Sequence, residues 1–102
     1  MKRILSAAML IMVASSASYA ARGYIYINHD GERTRTANFE FDGMLVCNLK
    51  RMVASTVGLS MSEFDLKKGG VRLDASKSLK EAFVSSGNNV QVAKVRRSNQ
   101  CT

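Results

Sequence analysis

One stretch of the sequence, Met44 to Val57, has the hydrophobic period of a helix and lies between segments that alternate like strands. Its apolar residues fall at i, i+4, i+7, i+8 and i+12, and they are Leu45, Leu49, Met52, Val53 and Val57. Asp42 is the predicted N-cap, and Gly58 is the predicted glycine that ends the helix. A helix with one apolar stripe has to cover it, so this segment predicts an α+β domain with one main helix packed on a sheet.

Two alternating runs before the helix predict a β-hairpin. "RGYIYIN", Arg22 to Asn28, and "RTRTANFEF", Arg33 to Phe41, are separated by a turn with Asp30-Gly31 at its centre. In the second run, one predicted face carries Ala37, Phe39 and Phe41.

The segments after the helix are shorter. We predict a strand from Phe64 to Lys67, a tight turn at Lys68-Gly69-Gly70 and a shorter strand from Val71 to Leu73. A single helical turn within Asp74 to Phe83 and a last strand from Val90 to Val95 follow. The last strand should lie parallel to the first, because the chain from Asp42 to Asn89 is long enough for the crossover. Its inward register stays open between Val90 with Val92 and Ala93 with Val95.

This order, ββαββ(turn)β on a mixed sheet, is that of a β-grasp domain. The residues predicted to be buried together are Ile25, Ile27, Phe39, Phe41, Leu45, Leu49, Met52, Val53 and Leu73.

The first 20 residues form a different kind of segment. A basic start, Lys2-Arg3, precedes an apolar run of about 11 residues, shorter than the roughly 20 that a membrane-spanning helix needs. Ser18 and Ala20 supply small residues three and one positions before a cut. We therefore predict a signal peptide over 1–20, cleaved before Ala21, with a secreted or periplasmic product that has no stable membrane insertion.

The charge favours acidic partners. Removing Lys2 and Arg3 from the full-chain net charge of +7 leaves +5. A basic exported domain suits an acidic protein face or a polyanion. No specific nucleic-acid partner is expected, because Tyr24 and Tyr26 are the only aromatic residues suited to base stacking.

The segment "LKKGGVRLDASKSLKEAFVSSGNNVQVAK", Leu66 to Lys94, resembles the C-terminal half of a ubiquitin-like domain. A strand and glycine turn lead to a short strand, an acidic residue, a leucine-bearing helical turn and a final strand. The doublecortin type is also similar, through Asn28-His29-Asp30-Gly31, Phe41-Asp42, Leu79, Ser86 and Gly87. The resemblance covers 21–97 as a ubiquitin-like β-grasp domain and leaves 98–102 as a polar tail.

The chain departs from that resemblance in ways that bear on function. Conjugated ubiquitin relatives end in Gly-Gly, whereas no glycine follows Gly87 here. Doublecortin domains bind microtubules, which a cleaved signal peptide would place out of reach. Iron–sulfur β-grasp proteins need four cysteines, and this chain has two.

Cys47 and Cys101 are those two cysteines. An exported chain favours a disulfide between them, while the distance that the tail must span argues against one, so the pairing stays open. One histidine and two cysteines do not compose a metal site, and no cofactor is expected.

A candidate binding surface follows from the first strand. If Ile25 and Ile27 face the helix, Tyr24 and Tyr26 lie on the open face of the sheet, where ubiquitin-like domains commonly bind. The last strand would add Lys94 and Arg96 or, in the other register, Val95 and Arg97. Tyrosine and arginine are frequent at protein-binding hot spots. The pairs Lys67-Lys68 and Arg33 with Arg35 are candidate anion contacts, although solvated surface charges explain them as well.

The sequence shows no catalytic set, and we predict that the protein is not an enzyme. Three functions remain: a non-enzymatic protein-binding module, a polyanion- or anionic-surface-binding protein, and a thiol-dependent carrier or enzyme that uses Cys47 or Cys101.

Overall fold

A computed structural model describes residues 22–102. The predicted signal peptide, 1–20, and its cut before Ala21 lie outside the described residues. The first four strands are β1 (Arg22–Gly23), β2 (Tyr26–His29), β3 (Glu32–Arg35) and β4 (Phe39–Glu40). Helix α1 (Val46–Val57) and a 3-10 turn (Met61–Glu63) follow. The last three strands are β5 (Phe64–Lys68), β6 (Val71–Arg72) and β7 (Asn89–Lys94).

Five strands form a mixed sheet in the order β3-β2-β7-β5-β6, and β1 pairs with β4 in a small second sheet. Strand β7 runs parallel to β2 and antiparallel to β5, with Ile27 beside Val90 and Leu66 beside Val92. The predicted α+β architecture, with one main helix and a parallel last strand, is confirmed.

The first hairpin is interrupted where the sequence suggested continuous strands. The Ile25 N–H donates to the Thr36 hydroxyl oxygen at 3.1 Å, and the Thr36 N–H donates to the Ile25 carbonyl at 3.0 Å. Thr36 is buried in consequence and Ala37 is exposed, so the expected face of Ala37 with Phe39 is wrong.

Helix α1 begins two residues later than expected, and Asp42 does not cap it. The Asn48 side-chain oxygen accepts from the Leu45 N–H at 3.1 Å, so Leu45 is the N-cap and Val46 the first helical residue. Leu45 is 49% exposed, and the expectation that it is buried is wrong. The predicted end is confirmed, because Gly58 takes the left-handed conformation at φ 75° and donates to the Ala54 carbonyl.

The core lies between α1 and the inner face of the five-stranded sheet. Of the predicted core, Ile25, Ile27, Leu49, Val53 and Leu73 are buried, while Phe39, Phe41 and Met52 are partly buried against them. The residues that the prediction omitted are Val46, Ala54, Phe64, Leu66, Leu79, Val84 and Val90. The last strand therefore turns Val90 and Val92 inward, which answers the open question of its register.

The C-terminal segment packs onto the free part of the β5 edge. Ser98 N–H donates to the Ser62 carbonyl at 2.8 Å, and the Gln100 side chain bonds both the N–H and the carbonyl of Leu66, at 2.6 and 3.0 Å. Ser98 and Gln100 are both buried. The polar tail thus replaces a neighbouring strand where β6 has already ended.

The tail is also tied to helix α1 by a disulfide. Cys47 and Cys101 are bonded, with Cα atoms 5.5 Å apart and a sequence separation of 54. Of the two outcomes that the sequence left open, the structure has the bridge, so the distance that the tail must span does not prevent the pairing. Of residues 22–102, none belongs to a helix long and apolar enough to cross a membrane.

Candidate functional site

The hairpin turn decides which side chains share the open face of the sheet. Asp30 and Gly31 both have positive φ, at 51° and 79°, so a two-residue turn joins β2 to β3. This turn pairs Tyr26 with Arg35 and Asn28 with Arg33. Residues directly opposite in a ladder point to the same side, and Ile27 between them is fully buried. The tyrosine and both arginines therefore face away from the helix.

Tyr24 and Tyr26 meet edge to face, with ring centroids 5.4 Å apart. The Arg35 guanidinium lies 3.8 Å above the centre of the Tyr24 ring, and that of Arg33 lies 4.4 Å above Tyr26. Each guanidinium is thus held by a cation–π contact, and that of Arg35 also donates to the Asn38 side-chain oxygen at 3.4 Å. We call these four residues the tyrosine–arginine cluster.

A row of polar and charged side chains extends from the cluster across all five strands. Adjacent members are paired in the sheet registers, and from β3 to β6 they are Arg33, Asn28, Gln91, Lys67 and Arg72. The residues that precede three members of this row along their strands, Ile27, Val90 and Leu66, are buried against the helix. The open face is therefore polar and cationic rather than apolar.

Charges on this face are unevenly paired. Arg72 Nε lies 3.4 Å from the Asp65 carboxylate, which neutralises the β6 end of the row. Among residues 22–102, no carboxylate comes within 4.0 Å of the side-chain nitrogens of Arg33, Arg35 or Lys67. The surplus positive charge on this face lies at the tyrosine–arginine cluster and at Lys67, two strands away from β2 on β5.

Two of the four sequence-predicted binding residues lie elsewhere. Lys94 pairs with the buried Phe64, which puts it on the helix side of the sheet, and its Nζ lies 3.3 Å from the Asp30 carboxylate. Arg96 follows the end of β7. Since Asn89 is the neighbour of Tyr26, Arg96 lies seven residues further on, about 20 Å along the strand direction.

The sequence already indicated that Arg33 and Arg35 lie on the open face, although the predicted set of binding residues did not include them. A two-residue Asp-Gly turn fixes the hairpin register, and counting back from it brings Arg35 opposite Tyr26 and Arg33 opposite Asn28. The binding role of Tyr24, Tyr26, Lys94 and Arg96 stays a prediction.

The other candidate residues do not assemble around the cluster. Cys47 and Cys101 are joined on the helix side of the molecule, so neither carries a thiol in this structure. His29 Nε2 lies 3.3 Å from the Asp30 carboxylate at the hairpin turn. Within the described part of the chain, no three His, Cys, Asp or Glu residues are grouped to hold a metal ion.

The chain was compared with protein families, curated proteins and solved structures, and only solved structures matched it. No family model matches the sequence, and no curated protein matches it either. Among solved structures, a design based on ubiquitin superposes with a TM-score of 0.66 at 14% identity, covering 78% of this chain and 96% of the design.

Two further solved structures are similar at the same level. A chain of the pParkin-pUb-UbcH7 complex gives a TM-score of 0.65 at 21% identity, over 78% of this chain and 25% of that one. A chain of the complex of ATBAG1 with HSP70 gives 0.64 at 12% identity, over 72% of this chain and 41% of that one. The chain has a ubiquitin-like β-grasp fold, as its sequence resemblance implied. The doublecortin likeness stays a prediction.

Proposed function

We propose that this protein is an exported, non-enzymatic module that binds another protein through the open face of its sheet. The observation that carries the proposal is the tyrosine–arginine cluster, in which Arg35 and Arg33 stack on Tyr24 and Tyr26 at 3.8 and 4.4 Å. Stacking fixes four large side chains before a partner arrives, so less side-chain entropy is lost on binding. Tyrosine and arginine are also the residues that most often dominate protein-binding energy.

The fold supports the same proposal. The BAG1 neighbour was solved in complex with HSP70, and the Parkin neighbour in a complex with pUb and UbcH7. The face is cationic, and within residues 22–102 neither Arg33 nor Arg35 makes an ion pair, which suits a partner that presents carboxylates.

The test begins by locating the contact. A photo-cross-linking residue at Gln91, in the middle of the open face, should capture the partner in the exporting host, whereas one at the exposed helix residue Ser55 should not. The captured protein is then purified and titrated against the wild-type chain.

Two variants separate the open face from general surface charge. The double variant Tyr24→Ala/Tyr26→Ala should weaken binding at least tenfold, since it removes two hot-spot side chains. The matched control Arg51→Gln removes an exposed arginine on the helix and should leave affinity unchanged. Capture at Ser55 rather than Gln91, or equal losses in both variants, would reject the open face.

A second candidate function is the binding of a polyanion. Arg33, Arg35 and Lys67 share one face and make no ion pair with any of residues 22–102, which favours this function. Affinity for a sulfated polysaccharide should then fall steeply with salt, and Arg33→Gln/Arg35→Gln should reduce the salt slope by about two charges. An unchanged slope would reject this function.

The thiol-dependent alternative needs a free sulfur. The bond between Cys47 and Cys101 supports a structural role for both residues instead. Thiol titration of the purified native protein should therefore detect no reactive cysteine.

A further inference from the structure

Phe83 is exposed and conformationally strained at the same time. Its side chain is 82% exposed, and its φ of 59° lies in the left-handed region that bulky residues rarely occupy. Two hydrogen bonds hold this backbone: the Phe83 N–H donates to the Lys80 carbonyl at 3.1 Å, and Lys68 Nζ donates to the Phe83 carbonyl at 2.8 Å. The fold therefore presents an aromatic ring to solvent at the expense of a strained backbone, which is typical of a functional position.

A groove of about 650 Å³ lies directly beside this ring. Its apolar lining includes Phe41, Val84 and Phe83 itself. The volume exceeds what one aromatic side chain needs, and it lies in the range of sites that bind ligands. Phe83 thus forms one wall of a cleft that would accept a ring of its own kind.

The same groove carries unpaired charges of both signs. Arg22 and Lys80 line it together with Asp42. Within residues 22–102, none of these three makes an ion pair. A ligand with one sign of charge would satisfy only part of this set, whereas a second copy of the same surface offers a carboxylate to the cations and cations to the carboxylate.

We propose that the Phe83 groove is a contact between two copies of this chain. A two-fold axis through the groove places Phe83 of each copy over the cleft of the other, and it brings the Asp42 carboxylate of each copy toward the Lys80 and Arg22 cations of its mate. The arrangement is self-complementary because ring, cleft and both charges belong to one patch. It covers the exposed ring of Phe83 and the apolar lining of the groove.

Sedimentation velocity of the protein recovered after export, from about 1 µM to 1 mM, tests the proposal. The wild-type chain should shift from monomer to dimer over this range. In Phe83→Asn the dissociation constant should rise about a hundredfold or more, since each dimer loses two buried rings. Asparagine tolerates positive φ, so this variant should fold at least as stably as the wild type.

Val71→Asn is the matched control, because Val71 is also an exposed apolar residue, at 68%, but belongs to β6 and does not line the groove. It should leave the dimer intact. Asp42→Lys leaves only cations around the cleft and should weaken the dimer, and Asp42→Lys/Lys80→Asp should restore it. A monomer throughout the range, a dimer that survives Phe83→Asn, equal losses in Val71→Asn, or no restoration by the double charge change would overturn the proposal.

Discussion

The Nζ of Lys50 donates a 2.6 Å hydrogen bond to the carbonyl of Gln100, the residue just before the cysteine that is bonded to Cys47. Cys47 and Lys50 are three positions apart, so they lie on one side of helix α1 and hold adjacent residues of the tail. Lys50 Nζ also donates to Ser98 Oγ at 3.0 Å, and Ser98 Oγ donates to the Asp65 carboxylate at 2.6 Å. The helix, the tail and β5 are thereby linked through one buried polar network.

Removal of the disulfide should lower the stability of the domain. The bridge spans a separation of 54 residues, and the chain-entropy estimate for such a loop is about 3–4 kcal/mol. Cys47→Ser/Cys101→Ser should lower the free energy of unfolding by that amount in urea denaturation. Peptide mapping of the wild type without reductant should give a Cys47 peptide linked to a Cys101 peptide within a monomer. Unchanged stability, or a link found only between chains, would contradict this prediction.

Lys50 should make the stability depend on alkaline pH. Burial lowers the pKa of Lys50 below its ordinary 10.5, and nearby Arg72 lowers it further, while Asp65 acts in the opposite direction. The unfolded chain therefore binds more protons than the folded chain between the two pKa values of Lys50. Its contribution to the free energy of unfolding rises with pH across this window, which ends near 10.5.

The variant Lys50→Met isolates this contribution. Urea unfolding of both proteins from pH 7 upward should show a steeper alkaline rise in the wild type, because methionine cannot titrate. Tyrosines and other lysines contribute equally to both proteins and cancel in the difference. Parallel pH profiles would mean that Lys50 keeps an ordinary pKa in the folded chain.

Two leucines on α1 should respond very differently to truncation. Leu49 is fully buried, so Leu49→Ala should cost about 2–5 kcal/mol in unfolding free energy. Leu45 is 49% exposed at the N-cap, and Leu45→Ala should cost about 0.5 kcal/mol or less. Thermal and urea unfolding of the pair measures the contrast. Similar losses in both variants would mean that Leu45 is buried with Leu49, as the hydrophobic period alone predicted.

The hydrophobic period of α1 predicted the middle and the end of the helix but not its start. Spacing correctly selected Leu49, Val53 and the end at Gly58, since these depend on local geometry. It failed at Leu45 because long-range backbone bonds fix the start of the helix: the Val46 N–H donates to the Lys77 carbonyl, and the Leu79 N–H donates to the Met44 carbonyl, both at 2.9 Å. No local pattern records such partners.

The tail was unpredictable for a related reason. Composition predicts that "RRSNQCT" is solvated, yet Gln100 is buried because its amide nitrogen also donates to the Leu73 carbonyl at 2.7 Å. A polar side chain that completes a sheet edge has no periodicity to reveal it. By contrast, the position of Tyr26 and the two arginines was already implied by the Asp30-Gly31 turn.

Export should leave a defined N-terminus. The basic start, short apolar run and Ser18-x-Ala20 spacing predict a cut after Ala20. Intact mass measurement of the exported protein should give a chain that begins at Ala21. A mass that includes Met1 on membrane-bound material would contradict the prediction.

A side chain at Gly23 should destabilise the edge where β1 meets the loop before β7. A Cβ built there would lie 2.5 Å from the Ser86 Cβ and closer still to Ser86 Oγ, with Phe41 Cε1 at 3.2 Å. Gly23→Ala should therefore cost about 1–3 kcal/mol through overpacking. Ser86→Gly removes the Cβ and Oγ of Ser86, so in that background the cost of Gly23→Ala should fall by at least about 1 kcal/mol. Urea unfolding of the two single variants and the double variant gives this coupling energy. Additive losses would show that β1 can shift away from Ser86 at little cost. In that case the close approach of Gly23 to Ser86 does not fix the position of the next residue, Tyr24.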